Sequence, residues 1–201
     1  MNALLLIVAG YLAGSIPTGY WLVRLVRHED IRTRGSGNIG GTNVWRNYGP
    51  KLGTPVIVFD VAKGFAPAFL GTQLERPLIG VLAGAAAMLG HWRPLFLRFE
   101  RGGKMVATCG GAFLGVAPLV ALACAVVWVA IFVATRYASL ASLLAAVSLP
   151  LAADALGEPW AVTAFGVVGA VGVVLLHRTN ISRLLHGTEH RFQLRRSRPA
   201  T

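Results

Sequence analysis

The sequence has few residues that could bind a metal ion or form a disulfide. Its 201 residues include two cysteines, five histidines and eight carboxylates. Cys109 and Cys124 lie in apolar stretches, with no CxxC pattern and no histidine at ligand spacing, so neither a zinc site nor a disulfide framework is indicated. We therefore expect two buried thiols, no metal and no cofactor.

Several signatures of soluble enzymes and nucleic-acid-binding proteins are also missing. There is no G-x-S-x-G elbow, which argues against a serine hydrolase, and no histidine has an aspartate five positions later, as the familiar glycerolipid acyltransferase box requires. The stretch "GGKMVAT" at 102–108 is not a nucleotide P-loop, because Arg98 replaces the first glycine and Met105 follows the lysine. The net charge of +11 comes without any nucleic-acid-binding motif, so no nucleic-acid partner is expected.

Long apolar runs dominate the chain, which is 55% hydrophobic. They predict an all-α polytopic membrane protein that forms one domain over residues 1–201. A cleaved signal peptide is the competing interpretation of the first run, but no basic residue precedes it and many apolar runs follow. The fourth and fifth runs are divided only around Pro118, so one long kinked helix over 105–135 is an alternative. Seven runs are counted: 3–23, 53–71, 77–97, 105–118, 119–135, 138–153 and 159–177.

The distribution of basic residues favours seven crossings over six. With seven, nearly all of the 19 lysines and arginines fall on one side of the membrane, which the positive-inside rule identifies as the cytoplasm. Six crossings would split the basic segments between the two sides. We therefore place the N-terminus outside and the C-terminus in the cytoplasm, where a basic tail of about residues 190–201 lies near the lipid headgroups.

The unusual polar residues are concentrated in segments predicted to be cytoplasmic. The first is the stretch "GSGNIGGTNVWRNYG" at 35–49, which we interpret as a phosphate-binding loop. Its glycines let backbone N–H groups converge on an anion, and its side chains add neutral donors and one guanidinium. The alternative is that Gly and Asn simply build tight turns. The candidate residues are Ser36, Gly37, Asn38, Thr42, Asn43 and Arg46.

Two further cytoplasmic segments carry candidate anion-binding groups. Gly102 and Gly103 precede an apolar helix and would leave free N–H groups at its N-terminus, with Lys104 in its first turn. The alternative is that Lys104 only extends to the headgroups. Ser139 and Ser142 share one face at the start of another helix.

The last apolar run ends with His177 and Asn180, one turn apart and therefore on the same face. His177 could instead do no more than cap helix carbonyls. Asp60 and Lys63 lie one turn apart inside the second run, where they form either a structural ion pair or part of a functional site. The sequence leaves this choice open.

Six segments, in order along nearly the whole chain, resemble the bacterial acyl-phosphate:glycerol-3-phosphate acyltransferase family (PlsY). They are "GSIPTGYWLVRL", "GSGNIGGTNVWR", "DVAKG", "GHWRPLFLRFERGGKMVAT", "RYASLAS" and "HRTNISRLLHGTE". The resemblance implies a seven-helix enzyme of the bacterial plasma (inner) membrane, with its active site on the cytoplasmic face. It also implies transfer of an acyl group from acyl phosphate to the 1-hydroxyl of glycerol 3-phosphate, giving lysophosphatidate and phosphate. We expect it to act as a monomer.

The chain departs from the family pattern at Gly41, where alanine is usual, and at Met105, where glycine is usual. We expect the change at Gly41 to be mild and the methionine to narrow the anion site. An alternative function is that of a transporter or binding protein for organic phosphates. Such a protein usually needs a polar path through the bilayer, whereas the polar residues here crowd one side.

The expected roles divide the candidate residues between two phosphates. Arg46, Lys104 and Asn180 would hold glycerol phosphate, with Gly102, Gly103 and Ser139 contributing to substrate binding. A second group would contact acyl phosphate and the developing oxyanion: Ser36, Gly37, Asn38, Thr42, Asn43, Ser142 and His177. Within this group, Thr42, Asn43, Ser142 and His177 are the expected catalytic residues. No side chain is an obvious general base, so the leaving phosphate would accept the hydroxyl proton.

Overall fold

A computed structural model describes residues 2–192 of the chain. Most of the predicted basic tail therefore lies outside the described residues. Within them the chain is helical and has no strand, as the sequence predicts. The helices are α1 (Ala3–Gly14), α2 (Thr18–Arg27), α3 (Gly41–Tyr48), α4 (Pro50–Leu74), α5 (Pro77–Trp92), α6 (Val106–Val116), α7 (Pro118–Thr135), α8 (Ala138–Ala155), α9 (Trp160–Leu176) and α10 (Arg178–Leu185).

Five helical segments are long and apolar enough to cross a membrane: Ala3–Arg27, which combines α1 and α2, then Pro50–Leu74, Pro77–Leu97, Pro118–Thr135 and Ala138–Ala155. The pair α9 and α10, bent by 62°, makes a sixth if it counts as one span. Helix α6 has 11 residues and is therefore about 16 Å long, well short of a hydrocarbon core of about 30 Å. Every apolar run of the sequence thus lies in helical structure, although the first is divided between α1 and α2. Not every helix is long enough to span the membrane.

The region 105–135 forms two helices rather than one kinked helix. Ala117 has φ −143° and ψ 77°, which is not helical, and it directly precedes Pro118 at the first turn of α7. The proline ring disfavours the helical conformation in the residue before it, so the chain turns at this point. The alternative of a single long helix is therefore wrong.

Small residues allow the helices at the centre of the molecule to pack closely around α4. A Cβ atom on Gly64 of α4 would run into the carbonyl oxygen of Thr108 in α6, and one on Gly111 of α6 would run into that of Val61. Where two helices meet this closely, van der Waals contact between backbones replaces the hydrophobic effect that lipid does not supply. The aromatic core is formed by Phe113 and Phe165, whose rings stack 4.8 Å apart.

The stretch 35–49 is not a loop throughout. It is irregular only as far as Gly40, and residues Gly41–Tyr48 form the two-turn helix α3. Helix α3 ends at Gly49, whose φ of +83° reverses the chain, and packs on α4 where Gly53 has no side chain to separate it from Trp45. The prediction of a loop over the whole stretch is therefore wrong for its second half.

Asp60 and Lys63 form an ion pair inside α4, with 2.7 Å between Oδ1 and Nζ, and both side chains are buried. The same ammonium donates to the carbonyl oxygen of Ile16, at 2.9 Å, where the chain passes from α1 to α2. The pair therefore ties α4 to the break in the first span.

Asp60→Ala is expected to lower the free energy of unfolding in detergent by about 3–5 kcal/mol, because it leaves the Lys63 ammonium buried without its counter-charge. The double variant Asp60→Leu/Lys63→Met should recover most of this loss, since buried pairs are often replaceable by apolar residues of similar volume. Chemical unfolding of both variants measures the effect. A single variant as stable as the wild type would contradict the structural importance of the pair.

Candidate active site

One cavity of about 590 Å³ is bordered by residues of α3 to α10. It is polar at the end where α3, α10 and the segment before α6 meet, and apolar where it runs between α6, α7 and α8. It gathers most of the candidates that the sequence places far apart. Ten of the thirteen line it: Ser36, Asn38, Thr42, Asn43, Arg46, Lys104, Ser139, Ser142, His177 and Asn180.

Asn43 holds the glycine-rich loop in shape from the first turn of α3. Its amide nitrogen donates to the carbonyl oxygens of Arg34, at 3.0 Å, and Asn38, at 2.8 Å. Its amide oxygen accepts from the backbone N–H of Ser36, at 3.0 Å. Both amide hydrogens are therefore in use. We expected Asn43 to contact the reacting group directly. In the structure it lines the cavity, and its amide is bonded to the backbone of the loop that carries Ser36 and Asn38.

The glycines before α6 do not present free N–H groups to the cavity, contrary to the expectation. The N–H of Gly102 donates to the carbonyl oxygen of Trp92, and that of Gly103 to His91, each at 2.9 Å. Neither glycine lines the cavity, and the same is true of Gly37. Glycine is nevertheless required at 103, because a Cβ there would run into the imidazole ring of His91. The two residues thus fix the segment that carries Lys104.

Lys104 lies two residues before α6 rather than in its first turn. Its ammonium is 2.5 Å from the amide oxygen of Asn180, and Asn180 donates in turn to Glu189 Oε1, at 2.9 Å. Burial, together with the nearby Arg183 guanidinium, lowers the pKa of Lys104 to about 8. At neutral pH it remains a cation, but one that is poorly solvated.

Glu189 is the main cavity residue that sequence reasoning missed. Its buried carboxylate accepts from the Ser139 hydroxyl, at 3.1 Å, and from the Arg183 guanidinium, at 2.8 Å. Burial alone would raise its pKa, but the hydrogen bonds from Arg183 and Asn180 outweigh burial and lower it. The sequence did contain a signal for Glu189, because it is a carboxylate in a segment otherwise interpreted as anion-binding. An acid in such a place needs several hydrogen-bond donors around it.

Arg46 projects from α3 into the cavity with part of its guanidinium unused. One terminal nitrogen donates to the carbonyl oxygen of His190, at 3.1 Å. The buried Nε has no hydrogen-bond partner within the part of the chain that the structure describes. Burial lowers the pKa of this guanidinium, because its charge is poorly solvated. Binding of an anion beside it would therefore be favoured.

His177 and Ser142 face the cavity below the cations. The Nδ1 of His177 lies 2.8 Å from the carbonyl oxygen of Val173. A carbonyl only accepts, so Nδ1 carries the hydrogen and the neutral ring keeps Nε2 as an acceptor. The Ser142 hydroxyl donates to the carbonyl oxygen of Ala138, at 2.7 Å, and accepts from the indole N–H of Trp128, at 3.1 Å.

Two buried polar groups deeper in the cavity lack hydrogen bonds among the described residues. They are Asp60 Oδ1 and His91 Nδ1, which lie 3.8 Å apart and both belong to residues that line the cavity. The Asp60 oxygen has the Lys63 ammonium beside it. Asp60 and Lys63, whose role the sequence left open, thus form an ion pair whose acidic member also lines the cavity.

Met105 does not narrow the anion site. Its side chain is buried in the apolar core, where its methyl group approaches Gly172 of α9, and it is not part of the cavity wall. Its φ of +65° is left-handed, a conformation that costs a residue with a side chain about 1–2 kcal/mol. This explains why glycine suits the position. At Gly41, the other departure, a Cβ would run into the side chain of Ile57.

The site therefore combines two half-buried cations, Arg46 and Lys104, with amides, hydroxyls and one histidine at its polar end. Such groups bind and neutralise a phosphate ester. The apolar remainder of the same cavity suits a hydrocarbon chain attached to that ester.

Comparisons with known proteins agree with this chemistry. Residues 4–187 match the family model described as glycerol-3-phosphate acyltransferase. The chain is 47% identical to the glycerol-3-phosphate acyltransferase of Desulforudis audaxviator over 196 residues, 98% of each chain. It is 43% identical to that of Geobacter sulfurreducens over 195 residues, 96% of this chain and 99% of the relative.

Two solved structures are also similar. One is the crystal structure of PlsY (YgiH), an integral membrane glycerol 3-phosphate acyltransferase, in its glycerol 3-phosphate form, with a TM-score of 0.91 and 41% identity over 95% of this chain and 96% of that one. The other is its lysophosphatidic acid form, with a TM-score of 0.88 and 40% identity over 95% of each chain.

Proposed function

The chain belongs to the glycerol-3-phosphate acyltransferase family and is an integral membrane acyltransferase, and we propose that it takes its acyl group from an acyl phosphate. The 1-hydroxyl oxygen of glycerol 3-phosphate attacks the acyl carbonyl carbon. A new ester bond forms, the bond from carbon to the phosphate oxygen breaks, and phosphate leaves with the electron pair and the hydroxyl proton. The products are lysophosphatidate and inorganic phosphate.

The proposal that acyl phosphate is the donor rests on one observation. The same cavity has a cationic end and an apolar end. An acyl phosphate has the same two parts, and its mixed anhydride has a good leaving group. Positioning and charge neutralisation therefore provide most of the catalysis, with no need for a covalent intermediate on the protein. Two phosphates must approach each other, and Arg46 and Lys104 offset their repulsion.

We assign the following roles to the candidate residues other than His177, from their contacts and their positions around the cavity. Arg46 and Lys104 bind the phosphate of glycerol 3-phosphate, and Asn180 orients the Lys104 ammonium. Ser36, Asn38 and Thr42 face the acyl phosphate from the loop that Asn43 shapes. Ser142 lies beside the reacting carbonyl, while Ser139 holds Glu189, the counter-charge of the site. Gly37, Gly102 and Gly103 shape the backbone.

We propose seven crossings, an external N-terminus and a cytoplasmic site in a bacterial plasma membrane. The contacts of Lys104, Ser139 and Asn180 bring together the segment before α6, the start of α8 and the segment after α9. From this side of the membrane, α6 would cross to the outer side and α7 would return, and α8 and α9 would do the same. The basic residues around these ends support a cytoplasmic position. We propose that the enzyme acts as a monomer.

The test is phosphate and lysophosphatidate formation by the purified protein in lipid, supplied with palmitoyl phosphate with and without glycerol 3-phosphate. Palmitoyl-CoA serves as the control donor. We expect both products only when palmitoyl phosphate and glycerol 3-phosphate are present together. Transfer to glycerol 3-phosphate from palmitoyl-CoA but not from palmitoyl phosphate would contradict the proposed donor. Binding of glycerol 3-phosphate with no transfer from either donor would favour a transporter.

The low pKa of Lys104 predicts a pH dependence on the alkaline side. The ammonium is charged below its pKa of about 8 and loses its charge as the pH rises through that value. Between pH 7 and pH 9 its charged fraction falls about tenfold, so kcat/KM for glycerol 3-phosphate, which reports the free enzyme, should fall about tenfold as well.

Lys104→Arg provides the control for this pH dependence. A guanidinium stays charged throughout the range, so the variant should have lower activity overall but a flat profile between pH 7 and pH 9. A wild-type profile that is flat over the same interval would contradict binding of the substrate anion by a Lys104 ammonium with a pKa near 8.

A further inference from the structure

The apolar part of the cavity is formed by one stripe of residues from each of three helices. On α6 the stripe contains Val106, Gly110 and Leu114, which follow one another at intervals of four residues and so lie on one face. On α7 it contains Ala125 and Trp128 with their neighbours, and on α8 it begins at Ser142. The apolar part is therefore continuous with the polar end, where the phosphate groups would bind.

Gly110 leaves open space beside the α6 wall of the cavity. A Cβ built on Gly110 would meet nothing within 4 Å, whereas one on the next residue, Gly111, would run into the carbonyl oxygen of Val61. The two glycines thus serve opposite purposes. Gly111 lets α6 pack against α4, and Gly110 leaves open space on the cavity side.

The space beside Gly110 is open to the side of the helix bundle. Gly110 and Ala125 are both exposed, and Leu122, which lines the same wall, is 61% exposed. The two buried residues of α7 are Val120 and Cys124, so this helix lies at the edge of the bundle. A chain lying between α6 and α7 would therefore contact lipid along its length.

We propose that Gly110 determines which acyl chains the enzyme accepts, because the donor's chain passes over it between α6 and α7. This inference rests on the proposed acyl-phosphate reaction. Along α6, the wall from Val106 to Leu114 is about 12 Å long, and Gly110 lies about 6 Å from its polar end. A long chain must cross this point, whereas a butyryl chain ends before it. A side chain at position 110 would therefore obstruct long donors selectively.

The experiment is to measure kcat/KM of Gly110→Leu with palmitoyl phosphate and with butyryl phosphate. We expect the ratio of the two values to shift at least about tenfold against palmitoyl phosphate, because even one methylene group more or less in an apolar binding site changes rates by about 10–200-fold. Gly110→Ala should shift it less, in the same direction. An unchanged ratio in Gly110→Leu would overturn the proposal.

Ala123→Leu is the matched control. It makes the same kind of enlargement on α7 at an exposed position outside the cavity wall, and it should leave the ratio unchanged. Equal losses with both donors in Gly110→Leu would indicate a general packing defect and would also overturn the proposal. Thermal unfolding of each variant in detergent checks the fold.

A binding measurement separates this proposal from that of the acyl-phosphate donor. Palmitoyl and butyryl lysophosphatidate bind as products whichever donor is used. Gly110→Leu should weaken binding of the palmitoyl form at least about tenfold and leave the butyryl form unaffected. Suppose that the wild-type protein transferred no acyl group from acyl phosphate, but that the variant still bound the palmitoyl form more weakly than wild type. The proposed donor would then be wrong, and the proposed position of the acyl chain would be correct. Equal binding of the palmitoyl form by wild type and variant would overturn the position of the chain.

Discussion

Lys104→Ala is expected to lower kcat/KM for glycerol 3-phosphate by about 10³-fold or more. Removing a single preorganised donor typically costs about 10²–10³-fold, and here the lost group is also a cation that offsets the repulsion between two phosphates. The truncation leaves the amide oxygen of Asn180 without its 2.5 Å contact as well. Steady-state kinetics in lipid, with palmitoyl phosphate as donor, measures the effect.

Lys51→Ala is the matched control for this prediction. Lys51 is exposed in the first turn of α4, on the face that we assign to the cytoplasm, and it does not line the cavity. It removes the same charge from the same side of the membrane, so its activity should stay within about twofold of wild type if only the local contact matters. A similar loss of activity in both variants would show that general surface charge causes the effect. Full activity of Lys104→Ala would show that Lys104 is not part of the site.

The helices could be predicted from the sequence because their signal is local. Each apolar run is helical, the first as two helices, since a backbone in lipid must satisfy its hydrogen bonds within its own segment. The break at Ala117 is harder to predict, because Pro118 is equally compatible with a kink. The extent of α3 was missed because its glycine and two asparagines have low helix propensity, and its packing on Gly53 of α4 compensates for this.

The candidate site could be predicted as a set of residues but not as a set of contacts. Lys104 and Asn180 are 76 positions apart, and nothing local indicates that they meet. Composition also does not reveal which donors are already occupied. Gly103 and Asn43 have the residue types of an anion site, yet their N–H groups bind the protein itself. Glu189 was missed for the converse reason, since an acid among basic residues does not look like part of an anion site.

His177→Ala is expected to lower kcat by about 10²–10³-fold, the typical loss for one oriented hydrogen-bonding group. The contact between Nδ1 and the Val173 carbonyl leaves the neutral ring with an acceptor at Nε2. In that form the ring can orient the attacking hydroxyl group, while the leaving phosphate takes the proton. This differs from the donor role that the sequence favoured for His177.

His177→Asn distinguishes orientation from proton abstraction. Its amide oxygen can still accept a hydrogen bond from the hydroxyl but cannot act as a base near neutral pH, so it should recover part of the activity lost in His177→Ala. His186→Ala is the control, because His186 makes the same contact, 2.7 Å from Nδ1 to the Ser182 carbonyl, at an exposed position. If both substitutions at 177 reduced kcat to the rate without enzyme while His186→Ala remained active, His177 would be the general base and the phosphate would not accept the proton.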